Sequence, residues 1–244
     1  MLLYYIRHGD PIYEPDSLTE LGHKQAEALS NRFALYGLDK IYASTSVRAQ
    51  MTAEPTAKRL NLPVISCEWA NESLAWQGFA IRKEDGKETW AFQHQKYIDL
   101  FNSDEVIALG ENWYNHPIFA NENFAQGIKR VHDVVDTFLL SMGYQHDRVH
   151  RRYQRIGETK RGDGAEKRIA LFAHQGFGLA FLSSLLDIPY PFFCTHFDIS
   201  HTGTSVIAFE DDKEFTYPKL LQHSNDSHLY KEGLMTGYNN TIKL

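Results

Sequence analysis

Arg7-His8-Gly9 near the start of the chain and Ala173-His174-Gln175-Gly176 far downstream each place an imidazole where reactive chemistry is available. A third stretch, Ser44-Thr45-Ser46-Val47-Arg48-Ala49, adds a guanidinium. A neutral imidazole attacks electrophiles or takes protons near neutral pH, and an arginine fork holds oxyanions. The bland alternative at each histidine is a polar residue satisfied at a strand end, and at Arg48 a helix cap or surface ion pair. His8 and His174 stand 166 positions apart (174 minus 8), so any shared chemistry requires a fold that brings them together.

The elements around them supply such a fold. Leu2–Ile6 is a continuous apolar run, as expected of a strand buried on both faces of a parallel sheet, and Arg168–Ala173 is another. Lys40–Ala43 and Pro63–Cys67 read as further strands, and Thr204–Phe209 as the last one. Between them, Thr19 can cap a helix with Ala26, Leu29 and Phe33 in phase and Gly37 as its stop. Ser46–Leu60 reads as a helix bent by Pro55, Asn121–Met142 as an amphipathic helix ended by Gly143, and Phe177–Leu186 as a short apolar helix. Strands alternating with helices predict an α/β fold with a mostly parallel sheet. In such sheets, sites form where loops leave the carboxyl ends of strands. His8 and His174 both follow strands directly.

The chain has 244 residues, 43% of them hydrophobic, and a formal charge of −6 from 25 Lys+Arg and 31 Asp+Glu. That length predicts one domain carrying a sizeable insert, and a core large enough to need neither metal nor disulfide. Gly and Pro together number 24 (16 plus 8), too few for a low-complexity chain. The negative balance excludes a general nucleic-acid binder or a binder of acidic membranes. It says nothing against a local basic pocket. Cys67 and Cys194 read as two reduced thiols. The N-terminal apolar run lacks a basic lead-in and a cleavage site, and no run approaches the roughly 20 residues of a membrane span. A cytoplasmic protein is expected.

Taken in order, Arg7-His8-Gly9, Leu18-Thr19-Glu20-Leu21-Gly22 with Gln25-Ala26, Ser44 with Arg48-Ala49 and Thr52-Ala53, Asn71-Glu72, and His174 with Gly176 resemble the histidine phosphatase superfamily. The resemblance covers roughly residues 1–75 and 168–210. It implies the phosphoglycerate mutase-like fold, a three-layer sandwich of a mostly parallel sheet flanked by helices. It also implies roles. His8 would be the nucleophile that becomes a phosphohistidine. Arg7 and Arg48 would clamp the phosphate, and Gly9 would let the backbone approach it. His174 would stabilise transition-state charge, and Glu72 would be the proton donor. No metal or other cofactor is implied, because arginines and histidines supply the positive charge.

This sequence departs from the pattern in places. The family usually has Asn five or six positions after the nucleophile, where this chain has Asp10, Pro11, Ile12, Tyr13 and Glu14. Glu14 must therefore turn outward or Ser17 take over donation to the phosphate. Gln175 replaces one of two familiar glycines and could add a phosphate contact; His201 could line the substrate pocket. All four tryptophans fall between 69 and 113, in a segment read as a cap inserted at about 73–118. Residues 147–168 hold eight basic and four acidic side chains and read as a surface hairpin, with recruitment of a second phosphate as the sharper alternative. The leading function is a metal-independent phosphatase of a small phosphate monoester, within a single domain spanning 1–244. Its rivals are a mutase and a phosphate-binding module without turnover. A homodimer stays open.

Overall fold

The computed structural model describes residues 1–210 and 213–237; the rest of the expected 1–244 domain lies outside the described residues. Leu2–Arg7 (β1), Lys40–Ser44 (β2), Val64–Cys67 (β3), Arg168–Ala173 (β4), Thr204–Ala208 (β5) and Lys219–Asn225 (β6) form one sheet in the order β6-β5-β1-β4-β2-β3. The four strands from β1 to β3 in that order run parallel. β5 is antiparallel to β1, and β6 to β5.

The helices Glu20–Tyr36 (α1), Val47–Leu60 (α2), Glu72–Phe79 (α3), Phe124–Ser141 (α4) and Gln175–Leu185 (α5) cover both faces of the sheet. Side chains alternate along β1. Tyr4 and Ile6 pack with Leu29 and Phe33 of α1 and Ala53 and Ala57 of α2. Leu3 and Tyr5 pack with Val131 and Val135 of α4 and Phe177 and Phe181 of α5. Each large apolar side chain so buried contributes about 1.5–3 kcal/mol. The result is the expected three-layer α/β sandwich. Thr19 caps α1, its hydroxyl accepting from the Gly22 N–H at 3.0 Å, and α2 runs through Pro55. No helix among the described residues is long and apolar enough to cross a membrane.

Three expectations need correction. β5 is not the last strand: β6 follows on the sheet edge, where polar and partly exposed residues (Lys219, Gln222, His223, Ser224, Asn225) hide the strand pattern. The antiparallel hairpin is Tyr144–Asp147 with Arg152–Arg155, not 147–168. It starts earlier because Tyr144 and Tyr153 are buried beside Phe209, and its second strand also pairs with Phe215–Thr216. The helix expected from Asn121 begins at Phe124.

Residues 80–119, between α3 and α4, add no strand to the main sheet. They form a small hairpin, Ala80–Arg82 with Glu88–Trp90, and two short helices, Gln95–Phe101 and Asp104–Ala108. Trp113 is buried among Phe101, Phe119, Phe124 and Tyr190, which extend the main core into this segment. Trp69 packs on Phe138 and Phe177 of the main core. Trp90 packs against the rim of that core, and Trp76 meets Trp90 edge to face.

Candidate active site

Strand register decides which residues meet. Arg7 of β1 lies opposite Ala173 of β4, and the His8 N–H donates to the Ala173 carbonyl at 2.9 Å. His8 and His174, each one residue past its strand, therefore leave the sheet side by side. Their ring centroids are 5.3 Å apart. Both rings are buried.

The hydrogen bonds fix the tautomers. His8 Nδ1 lies 2.7 Å from the Gly9 carbonyl oxygen, which can only accept, so Nδ1 carries the proton and Nε2 keeps its lone pair. Arg48 can only donate, and its Nη2 lies 3.2 Å from His174 Nδ1. His174 therefore accepts at Nδ1, and its Nε2–H points to Ser44 Oγ at 2.8 Å. The Tyr5 hydroxyl pins the His174 backbone, donating to its carbonyl at 2.7 Å. Burial is the main force pushing both histidines well below the usual imidazole range, helped by the neighbouring arginines. Both are neutral at physiological pH.

Arg48 sits in the first turn of α2, directly after β2. Its Nη1 pairs with Asp16 Oδ1 at 2.9 Å, and its guanidinium lies 5.4 Å from the centre of the Tyr13 ring. Arg7 is buried and donates to the Ile199 carbonyl at 2.7 Å, and burial draws its pKa down. The Nε atoms of both arginines have no partner.

Glu72 opens α3, which Asn71 caps by accepting from the Ser73 N–H at 3.0 Å. Its two carboxyl oxygens accept from the Gly176 and Phe177 N–H groups at 2.9 and 3.1 Å, at the N-terminus of α5. Burial raises the Glu72 pKa; the two N–H groups, Arg7 and Arg48 pull the other way and do not cancel it. The seat of α3 is close: a Cβ on Gly78 would lie 2.6 Å from Gly127 Cα of α4, and one on Gly127 2.9 Å from Gly78 Cα.

Arg7, His8, Arg48, Glu72 and Gln175 line one cavity of about 410 Å³, which Tyr13, Trp76, Trp90 and Gln93 complete. A second depression of about 480 Å³ shares Arg48, Glu72 and Trp76 with it. The His8 imidazole and two guanidiniums on this wall, with the buried His174 ring 5.3 Å from His8, form a receptacle for a tetrahedral oxyanion. Among the described residues, no group of three or more His, Cys, Asp or Glu side chains is arranged to hold a metal ion.

The expected site residues separate into those at the cavity and those beside it. Arg7, His8, Arg48, Glu72, His174 and Gln175 come together; the Gln175 amide also donates to Asp198. Gly9, Ser17 and His201 are not part of the cavity wall. The Gly9 N–H donates to Thr52 Oγ1 at 2.9 Å, and a Cβ there would lie 2.7 Å from the Gly22 carbonyl oxygen. Close packing against α1 therefore requires a glycine here. Ser17 Oγ turns to the Leu18 carbonyl and Met51. Its loop folds as the hairpin Pro11–Tyr13 with Asp16–Leu18, which leaves Glu14 exposed to solvent. His201 packs on His8 with ring centroids 5.7 Å apart and faces Asp10 at 3.4 Å; burial lowers its pKa to about 3.

Sequence reasoning missed Asp16, Tyr13, Ser44 as the acceptor for His174, and Tyr5. An acidic residue in the loop between the first strand and helix was the one available signal for Asp16. Nothing local marked the others.

Comparison with known proteins adds three findings. The family model for the histidine phosphatase superfamily (branch 1) matches residues 3–141. A stretch of 77 residues, 28% of this chain, is 38% identical to the mitochondrial serine/threonine-protein phosphatase Pgam5 of Drosophila erecta, and the match spans about a quarter (27%) of that relative. Among solved structures, mycobacterial glucosyl-3-phosphoglycerate phosphatase superposes with a TM-score of 0.58 at 19% identity, covering 91% of this chain and 98% of that one. The alpha-ribazole phosphatase of Shigella flexneri does so with a TM-score of 0.56 at 22% identity, covering 93% and 97%. At these identities the structures speak to the fold.

Proposed function

Because this chain belongs to the histidine phosphatase superfamily, we propose that it hydrolyses a small phosphate monoester through a phosphohistidine formed on His8. The observation that carries this reading is the state of the His8 ring: buried beside Arg7, neutral, and protonated at Nδ1, so that Nε2 offers its lone pair. A neutral nucleophile does not repel a phosphate dianion, and it needs no base to activate it.

In the first step the Nε2 lone pair attacks phosphorus and the bond to the leaving oxygen breaks. Arg7 and Arg48 neutralise the equatorial oxygens. Glu72, whose carboxyl is raised by burial, gives its proton to the leaving alcohol. In the second step the Glu72 carboxylate takes a proton from water, the hydroxide attacks phosphorus, and the P–N bond breaks to return the lone pair to Nε2 and release phosphate. The arginines supply the positive charge, so the proposed chemistry is metal-independent. Two buried free thiols, Cys67 and Cys194, support a reducing, cytoplasmic setting.

His8→Ala is expected to lower kcat about 10⁴-fold or more and to abolish acid-quenched labelling of the protein by a radioactive phosphate ester. Full activity in that variant would end the proposal. Glu72 must be protonated to act, so kcat/KM should fall as pH rises through an apparent pKa above the usual 4.5 of a glutamate, and Glu72→Gln should flatten that limb.

A further inference from the structure

We propose, resting on that hydrolase reading, that the leaving group is uncharged and carries a flat ring, seated against Tyr13, Trp76 and Trp90.

The wall of the cavity divides by chemistry. Its two cations, Arg7 and Arg48, stand at the strand ends beside His8. Among the described residues, no lysine and no third arginine lines either this cavity or the depression that joins it. A leaving group bearing a second phosphate or a carboxylate would therefore leave water for a surface with no cation to receive it, at a cost of several-fold in affinity or more. The space facing the cations is aromatic instead. Trp76 and Trp90 meet edge to face with centroids 4.8 Å apart, forming a corner, and Tyr13 stands over Arg48 with 67% of its surface exposed.

Two observations hold that corner in place. The Trp76 Nε1–H donates to Glu88 at 3.2 Å, and a Cβ on Gly176 would lie 2.5 Å from the Trp90 ring, so Trp90 rests directly on the start of α5. The wall is a fixed ledge beside the phosphate cage. Such aromatic corners also suit quaternary ammonium groups, but the carboxylates within reach are committed. Asp16 pairs with Arg48 and accepts from the Val47 N–H, Glu72 binds the Gly176 and Phe177 N–H groups, and Glu88 accepts from the Trp76 Nε1–H and faces Arg82 at 4.0 Å. The corner therefore favours a neutral ring.

The test compares kcat/KM for four monoesters of unactivated alcohols: 2-phenylethyl phosphate, glycerol 3-phosphate, 3-phosphoglycerate and phosphocholine. Wild type should prefer 2-phenylethyl phosphate over each of the others by about tenfold or more, the gain from burying one stacked ring. The preference should shrink toward parity in Tyr13→Ala and Trp76→Ala, and Trp76→Phe should restore part of it. Tyr13→Ala alters an exposed side chain, so it reads the contact without threatening the fold. Turnover of all four esters at similar kcat/KM, or a preference for 3-phosphoglycerate or phosphocholine, overturns the leaving-group assignment and leaves the hydrolase reading standing. Turnover of none overturns both.

Discussion

Two regions of this molecule are rich in basic side chains, the cavity at the strand ends and the segment 147–168, and they handle charge in opposite ways. In the segment the guanidiniums face carboxylates. Arg148 meets Asp136 and Asp187, Arg151 meets Glu111, Arg152 meets Asp147, and Arg161 meets Asp39 and Asp163. In the cavity, Arg7 has no carboxylate within ion-pair distance among the described residues and donates to a carbonyl oxygen, and Arg48, although it pairs with Asp16 at 2.9 Å, keeps its Nε without a partner, as Arg7 does. An arginine beside a cavity can receive an external anion through the N–H groups that the protein has not already engaged. Asp39, Glu111, Asp136 and Asp187, all from elsewhere in the chain, face arginines of this segment and offset its +4 balance (eight basic, four acidic).

The sharpest way to break this contrast is to remove one arginine from each region. Arg7→Ala should lower kcat/KM about 10²–10³-fold, while Arg148→Ala should stay close to wild type in steady-state kinetics. Comparable losses in both would show that the segment takes part in turnover.

Stability should reverse the ranking. Arg148→Ala leaves Asp136 and Asp187 facing each other across His146 and should cost about 1–2 kcal/mol in urea unfolding, less than a fully buried pair because both Arg148 and Asp136 keep some exposure.

A smaller effect tests the same network by pH. His146 stacks on Tyr153 and bridges Asp136 and Asp187 at 2.8 and 2.9 Å, with Arg148 beside it. Burial lowers its pKa, but the two carboxylates outweigh burial and hold it above 6.5. A raised folded value stabilises the fold fully below the unfolded pKa and progressively less as pH rises through the folded one. The unfolding free energy should therefore decline above about pH 6.5, and His146→Gln should remove that decline. Arg151→Ala, which deletes the 3.6 Å pair between an exposed arginine and the half-buried Glu111, should change stability by no more than about 1 kcal/mol.

The sequence made the strand ends legible because a doubly buried strand leaves an unbroken apolar run, and the next residue is where a parallel sheet presents chemistry. His8 and His174 were found that way. The same logic failed for β6, an edge strand with no apolar face to declare itself, and for the 144–155 hairpin, whose anchors Tyr144 and Tyr153 are lone aromatics in a polar stretch. At the site, residue types were readable but partners were not. Nothing in the sequence says that the Gly22 carbonyl closes on Gly9, or that the Ser17 hydroxyl turns toward Met51. The aromatic wall was the least legible part. Four tryptophans lie close in sequence, yet only Trp76 and Trp90 reach the cavity, and no periodicity separates them from Trp69 and Trp113.

The contact between Gly78 and Gly127 has a consequence for how the site tolerates change. The helix carrying Glu72 and Trp76 rests on its neighbour backbone against backbone, with no side chain acting as a spacer. Any methyl group introduced there would work as a shim, tilting the acid and the ring away from the phosphorus together. A residue on the far side of that crossing thus has leverage over the proposed catalysis without any chemistry of its own, and a mutational map of this protein would show a hot position where no substrate ever goes.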